Sequence, residues 1–170
     1  MFIPFSDLPD NARIWIYQAD KVIGSSERSL IEKELFDFTS TWSAHGIALQ
    51  SSFTILENRF VVLGVNEQAN EASGCSIDMS TNVMKGIFKL TGIDFFSRTL
   101  VPFEINGEII QFKINELKQK LKENMWNVDS VTFNTLADTV GALRDNWRLK
   151  ASKSWISRYI ERSNFDSIKG

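Results

Sequence analysis

Within the first 105 residues the spacing of apolar side chains alternates between two periods, and the order of that alternation restricts the fold more than any other feature. Ala12-Arg-Ile-Trp-Ile-Tyr-Gln-Ala19 is β-branched and aromatic and too short for a stable helix, which predicts a strand. From Ser26 onward Leu30, Ile31, Leu35, Phe38 and Trp42 recur at helical spacing, with Ser26 expected as N-cap and Gly46 as the residue just past the helix end. Phe53–Leu56 and Phe60–Val65 read as two strands around a tight Glu57-Asn58-Arg59 connection. A second helix is expected from about Ser76 to Leu90, ended by Gly92. Strands at 99–105 and 108–114 follow, joined by Asn106-Gly107, a strong two-residue hairpin signal. The order β-α-β-β-α-β predicts an α+β fold with a ferredoxin-like antiparallel sheet, to which the 108–114 strand is added.

Beyond that core, Asn115 is expected to cap a charged helix reaching about Asn124. After a short apolar run at Val131–Phe133, helices are expected at 135–146 and 152–161. The 170 residues suit one domain, an α+β core over 1–114 with a mainly helical extension over 115–170 packed on it. Thirteen Phe and five Trp predict an aromatic-rich core.

Charge and rare residues exclude several function classes. The net charge is −2, so the molecule as a whole is no generic polyanion binder. The charge is uneven, however. Residues 1–143 carry 12 Lys+Arg against 18 Asp+Glu, and residues 144–170 carry 7 against 3. One cysteine excludes an intrachain disulfide, a CxxC pair and a Cys-based zinc site, and one histidine leaves no HExxH or histidine cluster. No metal or other cofactor is expected. The acidic N-terminus lacks the basic, then apolar, build of a secretory leader, and no segment approaches the roughly 18 apolar residues of a membrane span. The expected location is the cytoplasm, without membrane contact.

Four stretches together carry a family resemblance: Phe2-Ile-Pro-Phe5 with Ala12-Arg-Ile-Trp-Ile-Tyr-Gln-Ala-Asp20, Trp42-Ser-Ala-His-Gly46, Ala72-Ser-Gly-Cys-Ser-Ile-Asp78, and Trp147 with Ser154-Trp155. They resemble an uncharacterised bacterial family whose members are often labelled "ABC transporter ATPase". The label implies nucleotide hydrolysis, which needs GxxxxGK[ST], because loop N–H groups and a lysine hold the β- and γ-phosphates. Gly24-Ser-Ser-Glu-Arg-Ser29 has no lysine in the required place, Gly92 is followed by Ile93-Asp94, and no LSGGQ-like signature occurs. ATP hydrolysis by that mechanism is excluded.

Ser73-Gly74-Cys75-Ser76-Ile77-Asp78 is the most informative stretch for chemistry. It joins a strand to a helix start, where unpaired N–H groups and the macrodipole favour an anion and bias a cysteine toward thiolate. Gly74 would let a ligand approach the backbone, with Ser76 and Arg13 as further donors. Phosphatase-type CxxxxxR chemistry is excluded, since Thr81 holds the arginine position. In β-α-β-β-α-β order, Arg13, His45, Cys75, Ser76 and Asp78 share one end of the sheet. One reading is therefore a binding module for a small anionic ligand. Another is a Cys75-dependent enzyme, or thiol sensor, with His45 as base and Asp78 as capping or orienting group. The structural alternatives are a buried Cys75, a His45 that complements a helix end and an Asp78 that merely caps.

Near the C-terminus, Arg144, Arg148, Lys150, Lys153, Arg158 and Arg162 interleave with Trp147, Trp155 and Tyr159, a pattern that suits nucleic acid or an acidic partner. Anchoring of the tail by Trp147, Trp155 and Ile156 is the stronger expectation, so nucleic acid is not the expected partner. Glu67 and Glu71 are a further, weaker candidate pair for a hard cation. Open sheet edges leave self-association available.

Overall fold

Phe60-Val-Val-Leu-Gly-Val65 contains no polar position, so a strand made from it needs apolar cover on both faces. The computed structural model, which describes residues 1–68 and 74–160 except the side chains of Cys75 and Ser76, builds that cover. In chain order the elements are β1 (Arg13–Gln18), α1 (Ser25–Thr41), β2 (Ser43–Ala44), β3 (Ile47–Ala48), β4 (Gln50–Leu56), β5 (Phe60–Asn66), α2 (Gly74–Thr91), β6 (Leu100–Ile105), β7 (Glu108–Lys113), α3 (Leu117–Lys122), β8 (Val131–Phe133), α4 (Val140–Asn146) and β9 (Arg148–Lys150). They fall into two compact units, one of residues 1–97 with 135–145, the other of residues 98–134 with 146–170.

In the first unit β5 is the central strand of an antiparallel sheet ordered β1-β5-β4. Its odd positions, Val61, Leu63 and Val65, share a core with Ile31 and Leu35 of α1, Met84 and Ile87 of α2, and Trp42. The register Trp15↔Leu63 and Phe53↔Leu63 puts Trp15 and Phe53 on that same face. The opposite face is reached at Gly64. A Cβ there would lie 2.6 Å from Leu8 Cδ1 and 3.4 Å from the Phe5 ring, so the glycine lets the N-terminal segment lie flat on the sheet.

The first unit is completed by residues far along the chain. Ile14 N–H donates to Asp138 O and Val140 N–H to Ala12 O, which occupies the outer edge of β1 at its start. Gly141 N–H donates to Asp10 O. Arg144 holds the same segment with a guanidinium fork, 2.6 Å from an Asp10 carboxylate oxygen, 3.0 Å from Ser6 O and 3.2 Å from Leu8 O.

The second unit is an antiparallel sheet ordered β7-β6-β8-β9. Val101 and Phe103 of β6, Phe112 of β7, Leu117 of α3, Trp126 and Ile156 form its core. The Trp126 indole N–H is satisfied by Leu117 O at 2.9 Å.

The α+β class holds, with antiparallel sheets throughout. The expected single ferredoxin-like sheet is not what the chain builds. β6 pairs with β7 and β8 instead of joining the β1-β5-β4 sheet. The stretch expected to be mainly helical supplies β8 and β9, and the helix expected over 135–146 is shortened to α4. The reason is local: Asn106-Gly107 forms its hairpin, with both φ angles positive, and commits β6 to β7 on one side. Thr132 then donates its hydroxyl to Pro102 O at 2.7 Å on the other. No helix among the described residues is long and apolar enough to cross a membrane.

Helix boundaries follow tertiary packing. α1 starts at Ser25 with Gly24 as its cap residue, so Ser26 lies in the first turn, where its hydroxyl donates to Glu27 at 2.9 Å. Glu27's own backbone N–H, then that hydroxyl, hold its carboxyl below the usual range. α1 ends at Thr41, because Trp42 turns to extended backbone and buries completely against Phe38 and Trp15. Gly92, at φ +66°, ends α2 as expected.

Ser52, opposite Gly64, is fully buried and its hydroxyl finds no hydrogen-bond partner among the described residues. Ser52→Ala removes that unmet hydroxyl and is expected to stabilise the protein by about 1 kcal/mol in a urea titration. Arg144→Ala gives up the bonds to Ser6 O and Leu8 O and is expected to destabilise by about 1–2 kcal/mol. Arg144→Lys recovers less than half of that loss, since an ammonium cannot reproduce the fork.

Candidate functional site

Strand register fixes which chain segments meet at one end of the first sheet. Arg13 opens β1 opposite Val65, and Gln50 opens β4 opposite Asn66, the last residue of β5. α2 begins at Gly74, after the connection from β5. The start of β1, the start of β4 and the end of β5 therefore share that end.

Arg13 lies on the sheet face that α1 and α2 cover, since it pairs with Val65. Its guanidinium sits 4.9 Å from the Trp15 ring centroid and 3.6 Å from a Glu67 carboxylate oxygen. Trp15 continues the stack to Trp42, and Trp42 to Phe38. An exposed cation thus rests on a partly buried tryptophan, which in turn packs on the fully buried Trp42. The Arg13 side chain is 44% exposed, so its ion pair contributes little to stability.

α2 starts two residues earlier than expected. Gly74 is its first residue and is exposed, and a Cβ there would meet nothing within 4 Å among the described residues. Cys75 and Ser76 occupy the first turn, with side chains outside the described residues. Ser76 is therefore inside the helix rather than before it. Asp78, exposed, is the fifth helical residue and lies beyond the capping position it was expected to fill. Glu71, paired with Glu67 as a cation candidate, also lies outside the described residues.

His45 is not at a helix end. With α1 stopped at Thr41, His45 and Gly46, at φ 52° and 80°, form the two-residue turn between β2 and β3. Leu49 N–H donates to Trp42 O and closes this hairpin between two buried side chains. His45 is exposed at its tip, and β2 lies alongside α2.

Apolar spacing gave no warning of an amide cluster at the same end. Asn66 Nδ2 donates to Gln50 Oε1 at 2.8 Å, Gln68 N–H donates to Asn66 Oδ1 at 3.1 Å, and Gln68 Nε2 reaches Asn11 Oδ1 at 3.5 Å. Polar residues at strand ends were the available signal. Among the described residues no group of three His, Cys, Asp or Glu side chains is arranged to hold a metal ion.

In the second unit the basic segment is largely engaged with its own surface. Arg148 is 2.9 Å from Glu104 and lies over the Phe133 ring, whose other neighbour is Trp147. Lys150 is 2.8 Å from Asp129. Trp155 packs against the core, and Arg158 lies over both Trp155 and Tyr159. Lys153 is exposed at the end of a short 3-10 turn. Arg162 lies outside the described residues.

No protein-family model matches this chain, and no curated protein and no solved structure is significantly similar to it.

Proposed function

We propose that this protein is a binding module that accepts a small anionic ligand at the sheet end formed by Arg13, the close of β5 and the start of α2. The observation that supports this reading is Arg13 itself. Its exposed guanidinium is held on Trp15, on the sheet face covered by the helices, at the strand end from which the chain leads into α2. A helix start offers unpaired N–H groups and the positive end of a dipole, and a preoriented guanidinium adds a bidentate donor. Gly74 in the first turn carries no side chain to crowd an approaching anion.

A thiol enzyme built on Cys75, with His45 as base, is the second reading. It is favoured by the seat of His45 on an exposed hairpin whose first strand runs beside α2.

Thermal unfolding with inorganic phosphate at matched ionic strength tests the binding reading. Saturating phosphate is expected to raise Tm by about 2–4 °C for each kcal/mol of linkage stabilisation. Arg13→Gln is expected to abolish the rise while leaving the unliganded Tm within about 1 °C, since the Glu67 pair is exposed. Cys75→Ser should keep the phosphate response. A wild-type protein indifferent to phosphate up to about 100 Kd of a weak millimolar site would remove the proposal. Loss of response in Cys75→Ser, together with rapid alkylation of Cys75 by iodoacetamide near neutral pH, would favour the thiol reading.

The local ion pairs of Arg148 and Lys150 carry a separate expectation for polyanions. On heparin the protein is expected to elute at or below ~0.15 M salt, where exposed unpaired charges are already screened. Retention well above that, with a steep salt dependence, would assign the segment to nucleic acid.

A further inference from the structure

The basic segment near the C-terminus divides into cations that the molecule neutralises and cations that it leaves open. Arg148 is 2.9 Å from Glu104 and Lys150 is 2.8 Å from Asp129. Lys153 and Arg158 are both exposed, and among the described residues neither has a carboxylate within ion-pair distance. Arg158 is nonetheless held in place. Its guanidinium carbon lies 4.9 Å from the Trp155 ring centroid and 5.4 Å from that of Tyr159. The two rings meet edge to face, with centroids 6.2 Å apart, and both pack, partly buried, on the core of the second unit. A guanidinium lying over a ring uses its face on the π-system and keeps its in-plane N–H edges for an acceptor. Within the described residues the Arg158 side chain donates no hydrogen bond, so those edges are open.

We infer that Lys153, Trp155, Arg158 and Tyr159 form a docking surface for an acidic segment of a partner protein, one of whose Asp or Glu carboxylates is taken bidentately by Arg158. Charge complementarity selects this occupant. A nucleic-acid backbone binds firmly only where several phosphates are neutralised together. With Arg148 and Lys150 already paired, the described part of the segment keeps only Lys153 and Arg158 for a ligand. One carboxylate, by contrast, matches one guanidinium fork. The neighbours of that fork suit a protein partner as well. Trp, Tyr and Arg dominate the energetics of protein interfaces, since they combine large contact area with directional bonds. The stack on two rings orders Arg158 before any partner arrives, which lowers the cost of fixing it on binding. The contact is a few side chains rather than a full interface, so a short acidic peptide is expected to bind with Kd on the order of 100 µM. The inference concerns the second unit alone and does not depend on the anion-binding reading of the first.

Fluorescence anisotropy of a fluorescein-labelled peptide EELEE, titrated with the full chain at low salt, tests it. A thymidine pentanucleotide with the same label is the nucleic-acid comparison, matched to the peptide in charge. The wild type is expected to bind the peptide with Kd on the order of 100 µM and the oligonucleotide no more tightly. Arg158→Gln is expected to weaken peptide binding at least about fivefold. Its Tm should stay within about 1 °C of wild type, because the side chain is exposed and makes no ion pair. Arg158→Lys keeps the charge without the fork and should remain at least about threefold weaker than wild type. Lys150→Gln, whose charge Asp129 already takes, should bind like wild type. Four results would each overturn the proposal. They are a wild type that leaves the peptide unbound at protein concentrations up to about 1 mM, either Arg158 variant binding like wild type, Lys150→Gln losing as much as Arg158→Gln, and an oligonucleotide bound at least about tenfold more tightly than the peptide, which would assign the surface to nucleic acid.

Discussion

Burial of β5 on both faces is the constraint on which the first unit depends. Six of its seven residues are buried, and a central strand with an apolar row on each side cannot be stabilised by one layer of helices. α1 and α2 cover the row of Val61, Leu63 and Val65. The second face, where Gly64 lies, receives Phe5 and Leu8 from the N-terminal arm. That arm is fastened in turn by Arg144 and the backbone around residue 140. The anchoring of the N-terminal arm by residues near 140 is thus a consequence of a six-residue apolar run near the middle of the sequence.

The same strand positions the candidate site. Because β5 pairs on both sides, its last residues define where β1 and β4 begin, and the connection to α2 leaves from that point. Arg13 is consequently fixed by backbone register and by its stack on Trp15, rather than by its ion pair. A partly buried aromatic ring beneath an exposed cation limits the conformations it samples. That is what a donor needs if it is to meet an anion without a large ordering cost.

What could be read from the sequence was what is decided locally. Gly92 ends α2, and Asn106-Gly107 makes a hairpin, because each depends on a backbone conformation that few residues adopt. The order of the longer strands and helices to residue 105 was legible from apolar period, but the short β2–β3 hairpin was not. His45-Gly46 shows the limit. A glycine shortly after a helical pattern suits a helix end and a hairpin turn equally well. The choice was made by Trp42, whose burial against Phe38 and Trp15 pulls the chain out of the helix. The partner of β6 was similarly hidden, since β8 and β9 have three residues each and leave no periodic trace. For the site, the order of elements led only to the expectation that Arg13, His45 and the start of α2 share one end. It gave neither the amide cluster nor the hairpin seat of the histidine.

The two units are interleaved along the chain, and this bears on how the protein is made. The edge of β1 receives Asp138 and Val140 only after residues 98–134, which belong to the other unit, have been synthesised. The second sheet in turn waits for Arg148–Lys150. Neither unit can finish while the ribosome still holds the chain short of about residue 150. At roughly 5–20 residues per second that leaves the apolar faces of β5 incompletely covered for several seconds. The nascent protein therefore passes through a stage in which its most hydrophobic strand awaits the segment near residue 140, and protection during that interval falls to the α1 and α2 layer and to whatever chaperones meet the emerging chain.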